Sequence, residues 1–404
     1  MGIYKDLGVK RIINAFDTYT LLGGHTLSED VIRARDEADS EFAWIWDIQM
    51  KAGKKVADTL GVEAAFIPVG VFAGLGQCFA ALMAGTDPDK MRQLPDTTGM
   101  KNEVIMQKCL RDFQYDHSVE VVGAKIKEVG DEIKGCTSKE IEEAIDDNTL
   151  AIHYMSHGFT GSFASSNANI VPVEEVIRIG KKHGVPVIVD AAFQCYPLDG
   201  FKKYVEMGAD AALYSCKYFG GPNTAGLMLG KKSLIEAAAM HSFIGQEGGP
   251  EGNKFLSERE RGRNASLFRG CKQDRASIVG ALVALENYLK TMKDPQKNVI
   301  EPAMKKADYL MKQFEGVRGV EMKVLDARTP GVDLLKVALQ LTLTDKVPGQ
   351  VKEIRSTLMS GDPEIWVEAN GNSLVINITS FRGLMMFDDE DMKLMAREVK
   401  KVIS

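Results

Sequence analysis

Hydrophobic positions along this chain change rhythm twice. From about residue 28 to 60 they follow helical spacing, with Ser28 placed as an N-cap before EDVIRARDEA. Between residues 62 and 230, short apolar runs alternate with amphipathic stretches; the runs include AAFIPV, EVIMQ, TLAIHYM, VPVIVDAA, DAALYS and AGLMLG. VEEVIRIGKKH is one amphipathic stretch, and Gly184 follows it as a helix stop. A strand covered on both faces reads as a short continuous apolar run. Such runs alternating with helices predict an α/β domain with a largely parallel sheet and right-handed crossovers. The third rhythm begins near residue 275. ASIVGALVALENYLKTM and the segment around AMKKADYLMKQFEG predict long helices; VALQLTL, EIWVEAN and SLVINIT predict strands, and DEDMKLMAREVKKVI a closing helix. The pattern thus divides the chain into an N-terminal segment (1–60), a large α/β domain (61–275), and an interdomain helix with a small α+β domain (276–404).

Composition narrows the class without choosing a chemistry. A chain of 404 residues exceeds what one core usually covers, in keeping with two domains. A net charge of −6 and no run of Lys or Arg argue against a nucleic-acid surface. The six cysteines form no CxxC pair, and no His-rich cluster has metal-ligand spacing, so reduced thiols are expected. The N-terminus lacks the apolar core of a secretory signal, and no apolar stretch is long enough to span a membrane. These features lead us to expect a cytoplasmic protein.

Two strand ends carry the chemistry. VPVIVDAA ends an apolar run on Asp190, which places a carboxylate at the C-terminal tip of a buried strand, where open α/β sheets bind ligands. DAALYS leads into Ser215-Cys216-Lys217, 27 residues after Asp190. A desolvated lysine there has a lowered pKa and a free amine suited to Schiff-base chemistry. An aspartate for a pyridinium nitrogen and a lysine for an aldehyde are what pyridoxal 5′-phosphate (PLP) requires. An Asp at a strand end also caps helices, and a Lys before Gly-Gly-Pro also suits a solvated turn. Their order, spacing and matching contexts together favour the cofactor. In FIPVGVFAGLGQ, Gly70 to Gly74 would present free N–H groups at a helix N-terminus to a phosphate, although a small-residue turn can equally serve packing.

The same segments resemble the selenocysteine synthase-like (SelA-like) branch of fold-type I PLP enzymes, and within it the D-glucosaminate-6-phosphate ammonia-lyase group. GVKRIINAFDTYTLLGGHTLSEDV resembles that family's INxxGxxTxLGG segment. LPDTTGMKNEVIMQK, YDHSVEVVGAKIKEVG, VPVIVDAAFQC, SCKYFGGPNTAG and FRGCKQDRASIVGALVALENYL extend the likeness over residues 7 to 290. The resemblance implies an aspartate-aminotransferase-like fold, with a mostly parallel seven-stranded sheet in the large domain and a smaller α+β domain. It also implies that the N-terminal segment contributes to the active site.

By the same resemblance, Lys217 holds PLP as a Schiff base and Asp190 pairs with the pyridine nitrogen. Gly70, Val71 and Phe72 would supply the phosphate site, with Ser215 as a side-chain donor. Arg269 and Lys272 match an Arg-x-x-Lys pair that would reach phosphate or an anionic substrate; a solvated loop is the alternative. His117 and Tyr115 are candidates to cover the ring, with core packing an equal reading. Thr20 and His25 would face the substrate, and Arg382 would clamp its carboxylate or else lie on the surface. Asp17 replaces the family's glycine and His25 a small residue, so the substrate is expected to differ from D-glucosaminate 6-phosphate; Asn223 replaces a glutamine, which bears on the loop after Lys217 and not on the lysine itself.

The implied reaction is α,β-elimination from a hydroxylated amino acid or aminosugar acid by a homodimer or higher homo-oligomer. Transamination, racemisation, retro-aldol cleavage and C–S elimination are other outcomes of the same chemistry. Selenium transfer to seryl-tRNA is less expected, because the match starts near residue 7 and the chain is acidic. A non-catalytic PLP-binding protein is the remaining class.

Overall fold

The computed structural model describes residues 2–112, 114–156, 168–242 and 266–404. It divides into two compact units, residues 27–285 and residues 1–26 with 286–404. The expected N-terminal segment 1–60 is therefore split between them. Its strand β1 (Ile12–Ala15) belongs to the second unit, whereas the helices that follow belong to the first.

The larger unit contains β2 (Ala64–Phe66), β3 (Glu103–Gln107), β4 (Lys125–Val129), β5 (Thr149–Met155), β6 (Val187–Asp190), β7 (Ala211–Ser215) and β8 (Gly226–Gly230). They form one seven-stranded sheet in the order β2-β8-β7-β6-β5-β3-β4. Only β8 runs against its neighbours. Strands β6 and β8 are buried along their whole length and β5 and β7 nearly so, which accounts for their unbroken apolar runs. Edge strand β4 reads KIKEV, with Lys125, Lys127 and Glu128 among its apolar residues, so it forms no continuous apolar run.

The helical stretch 28–60 is two helices, Glu29–Ser40 and Ile45–Leu60. Glu41 is extended, and Phe42 and Trp44 beside it are 99% and 61% exposed, so nothing in the chain's own core holds a continuous helix there. Ser28 occupies the N-cap position with no side-chain cap bond. The helix Val173–His183 stops at Gly184, whose φ of 65° suits a residue without Cβ. No helix among the described residues is long and apolar enough to cross a membrane.

In the smaller unit, β9 (Val320–Leu325), β10 (Ala338–Leu343), β11 (Glu364–Asn370) and β12 (Ser373–Asn377) join β1 in the order β1-β11-β12-β10-β9. The β1–β11 pair is parallel, and the others are antiparallel. The helices Glu301–Phe314, Pro348–Met359 and Asp389–Ile403 share one core with this sheet, through Leu310, Phe314, Val351, Leu358, Met395 and Val399 among others.

Candidate active site

Parallel pairing of β6 with β7 brings the two strand-end groups together. Asp190 stands in register with Leu213, so Ser215 and then Lys217 emerge just beyond it on the neighbouring strand. The ladder continues past the strand ends: Ala191 N–H donates to Leu213 O at 2.9 Å and Ser215 N–H to Ala192 O at 2.7 Å. Asp190 is 3% exposed, and its Oδ1 accepts from the Ala192 N–H at 2.9 Å, which fixes the carboxylate. On its other flank, Ser156 donates to the Asp190 carbonyl through both N–H (2.9 Å) and Oγ (2.7 Å).

Lys217 lies half-buried in the short 3-10 turn Cys216–Phe219, whose two end residues are buried. Its ammonium stands 5.0 Å from the Tyr218 ring centroid. Burial pulls its pKa below that of an ordinary lysine. The neutral amine is thereby easier to reach, as a nucleophile or general base needs.

The glycine turn adjoins these groups. Gly70 has φ 70° and opens the helix Gly70–Ala84. Gly226, the first residue of β8 and the ladder partner of Ser215, donates its N–H to Pro68 O at 3.0 Å. A Cβ at Gly226 would stand 3.0 Å from the Gly70 carbonyl carbon and 3.2 Å from the Val71 nitrogen. The ladder from Ser215 to Gly226 thus places Gly70 and Val71 beside the Lys217 strand end. Phe72, in the first turn of the helix, is 43% exposed. The Gly70 N–H donates to Pro68 O at 2.9 Å, so of the expected backbone donors Val71 and Phe72 remain at the helix N-terminus; with a carboxylate and a half-buried lysine at the carboxyl edge of one sheet they form a donor set that fits PLP.

Arg269 and Lys272 run past the same turn. Phe268 packs its ring where a Cβ at Gly76 would sit, and Gln273 Nε2 donates to Pro68 O at 3.3 Å. Lys272 is exposed and Arg269 half-buried.

His117 does not join this group. Its side chain is 70% exposed, and its Nδ1 lies 2.6 Å from Glu120 Oε2. Tyr115 is the better candidate beside the ring, since the Asp190 charge is among the causes that raise its hydroxyl pKa, after burial and Asp112. Sequence reasoning missed what holds that turn. Arg111 Nε donates to Asp116 Oδ2 at 2.8 Å, and the guanidinium also pairs with Glu128. The spacing of Arg111 and Asp116 in RDFQYD was the only local trace of it.

The remaining candidates lie in the smaller unit. Thr20 opens an exposed 3-10 turn. Asp17 and His25 both converge on the turn that carries Arg382: backbone of Phe381 influences the Asp17 carboxyl, and backbone of Met385 the His25 ring. Arg382 is half-buried, with its guanidinium 4.6 Å from the Phe381 ring centroid and its carbonyl accepting from Tyr288 Oη at 3.1 Å. Burial lowers the His25 pKa.

Burial raises the Asp17 pKa from 3.8 to about 6, against the lowering effect of the Thr18 N–H at 2.6 Å and of Lys336. The folded state therefore holds its proton more tightly than the unfolded chain. Stability contributed at this position is full below the unfolded pKa and falls as pH rises toward 6. Asp17→Asn keeps an acceptor for Thr18 but cannot ionise. Chemical denaturation should find the variant equal to wild type near pH 4 and about 2–3 kcal/mol more stable above pH 6. A gain independent of pH would assign the effect to another cause.

No family model matches the chain. Its sequence is 27% identical over 346 residues to a 5′-C-glycyluridine monooxygenase-decarboxylase of Streptomyces sp, covering 84% of this chain and 77% of that protein. It is 28% identical over 294 residues to the D-glucosaminate-6-phosphate ammonia lyase of Salmonella typhimurium, covering 71% and 70% respectively. An L-seryl-tRNA(Sec) selenium transferase of Aquifex aeolicus is 25% identical over 343 residues, covering 76% and 71%. The solved structure of a D-glucosaminate-6-phosphate ammonia-lyase superposes with a TM-score of 0.78 at 22% identity, covering 100% of this chain and 98% of the other. The architecture is that of fold-type I PLP enzymes.

Proposed function

This chain is homologous to the SelA-like fold-type I PLP enzymes, and from that footing we propose that it is a PLP-dependent lyase. It would remove water across the α and β carbons of a hydroxylated amino acid or aminosugar acid, yielding a 2-keto acid and ammonia. The observation that carries the reading is that Asp190 and the turn bearing Lys217 stand at the ends of two adjacent, paired strands, in a fold shared along its whole length with an ammonia-lyase.

Lys217 would hold the cofactor covalently, and its amine, with a pKa lowered by burial, would be the base for the α-proton. When bound, PLP accepts the electron pair left at the α-carbon. Asp190 would keep a negative charge against the ring nitrogen, and Val71 and Phe72 would bind phosphate through backbone N–H groups in the turn that Gly70 opens. Ser215, Arg269 and Lys272 are further anion-binding candidates, and of the two ring-covering candidates, His117 and Tyr115, Tyr115 is retained. Arg382, Thr20 and His25 remain substrate-binding candidates on the family resemblance. The β-hydroxyl leaves as water after protonation, and the released enamine hydrolyses to the keto acid and ammonia.

A second reading has one specific support: the monooxygenase-decarboxylase aligns with a larger share of this chain than the ammonia lyase does. On that reading the α-carbon would lose carbon dioxide and react with oxygen. Purified protein should be incubated with D- and L-hydroxyamino acids and aminosugar acids, with and without oxygen. Ammonia and keto acid in equal amounts, formed anaerobically and without an acceptor, support the lyase. Oxygen uptake with carbon dioxide release supports the second reading, and a keto-acid requirement supports a transaminase.

The active form is proposed to be a cytoplasmic homodimer or larger homo-oligomer. The exposed Phe42 and Trp44 are apolar surface of the kind subunit contacts cover. The same preparation should sediment as a dimer or larger; a monomer with full activity would contradict this.

A further inference from the structure

Segments distant in the chain converge on a single backbone carbonyl. Pro68 O, two residues before Gly70, accepts from the Gly70 N–H at 2.9 Å, the Gly226 N–H at 3.0 Å and Gln273 Nε2 at 3.3 Å. The adjacent carbonyl, Ile67 O, accepts from Gln49 Nε2 at 2.8 Å. That same nitrogen donates to Gln273 Oε1 at 2.8 Å, which links the two side chains. Gln49 belongs to the helix Ile45–Leu60, and Gln273 follows Lys272 directly. Both amides are buried, at 1% and 7% exposure.

Stability gives a poor account of this arrangement. Among the described residues, Gln49 Oε1 is buried without a hydrogen-bond partner. An unpaired buried acceptor is unfavourable, and an apolar side chain of similar shape would avoid that cost. What the two amides add is direction. An amide presents two donors in a fixed plane, so the Gln49–Gln273 pair sets the orientation of consecutive carbonyls at Ile67 and Pro68. Those carbonyls precede the turn in which Gly70 takes φ 70° and the helix begins.

We propose that Gln49 and Gln273 are positioning residues for the cofactor phosphate: a buried amide relay that holds the Ile67–Gly70 turn, and with it the first-turn N–H groups of Val71 and Phe72, ready for the anion. The inference rests on the PLP reading of this site. It assigns no contact between either glutamine and the cofactor. Both act through the turn, so their removal should weaken phosphate binding while leaving Lys217 reactive.

Gln49→Leu and Gln273→Leu should be made singly and together, with PLP affinity measured by absorbance titration of the cofactor-free protein. Each single variant should bind PLP about ten- to a hundredfold more weakly. The double variant should lose less than the product of the two factors, because both act through one relay. The phosphorus NMR signal of bound PLP should shift, and borohydride should still fix PLP to Lys217 at saturating cofactor. If a leucine variant fails to fold, Gln273→Glu preserves the shape, replaces the donor to Pro68 O with an acceptor, and should show the same loss of affinity. Wild-type affinity and an unchanged phosphorus signal in folded variants overturn the inference, even if their melting temperatures fall. Failure of wild-type protein itself to bind PLP is a different result, which overturns the cofactor reading and this inference with it.

Discussion

Lys217→Ala should yield a folded protein that borohydride no longer links to PLP, with turnover lower by about a thousandfold or more. The magnitude is that of a lost general base, which contributes about 10²–10⁴ in rate. Loss of the covalent anchor adds to it. Folding should survive, because the residue is half-buried in a 3-10 turn held by its backbone: Cys216 N–H donates to Ala225 O at 3.0 Å and Gly221 N–H to Cys216 O at 2.8 Å. Mass spectrometry after reduction, with steady-state turnover alongside, checks both halves. A variant that still carries reduced PLP would show that another lysine is the anchor, and the central assignment would fail.

Asp190→Asn should lower kcat by about a hundredfold, with cofactor at saturation and little change in thermal stability. Asparagine is close in shape and retains an oxygen for the Ala192 N–H that fixes the aspartate at 2.9 Å. What it lacks is the negative charge. A hydrogen bond between a charged carboxylate and a protonated ring nitrogen contributes about 1.5–3 kcal/mol. Losing it from the transition state alone corresponds to roughly ten- to a hundredfold in rate. Low dielectric around a residue 3% exposed places the expectation at the upper end. Wild-type kcat in Asp190→Asn would remove the carboxylate from the mechanism and leave it as a cap for the turn after β6.

These two residues were legible because local pattern carries them. Buried parallel strands read as apolar runs, and a polar residue ending such a run marks a strand tip, which parallel alignment then turns into a shared edge. The glycine turn was legible for a similar reason, since small residues before an apolar helix permit close backbone approach. His117 shows the limit of the method. A helical histidine near a candidate site can point either way, and here it faces solvent beside Glu120. Tyr115, two residues earlier, has its hydroxyl pKa raised by burial first, then by the Asp112 and Asp190 charges.

Edge strands were less legible than central ones. β4 and β9 carry Lys and Glu among their apolar residues, because strands at a sheet margin meet solvent and benefit from charge. β1 has apolar residues enough, but its parallel partner β11 lies more than 300 residues away, and no local spacing announces that pairing.

From the sequence alone came the α/β alternation, the Lys217 and Asp190 strand ends, the glycine turn and the family resemblance. Each of these is written in neighbouring residues, through periodicity, turn chemistry or a short motif. Tertiary structure alone decided that residues 1–26 join the smaller unit, that His117 turns outward, and that Asp17 is buried enough to hold a proton to about pH 6. It alone brought Gln49, Gly226 and Gln273 to the carbonyls of Ile67 and Pro68. Those outcomes depend on desolvation and on bonds between distant segments, which arise when the layers pack and leave no period in the chain.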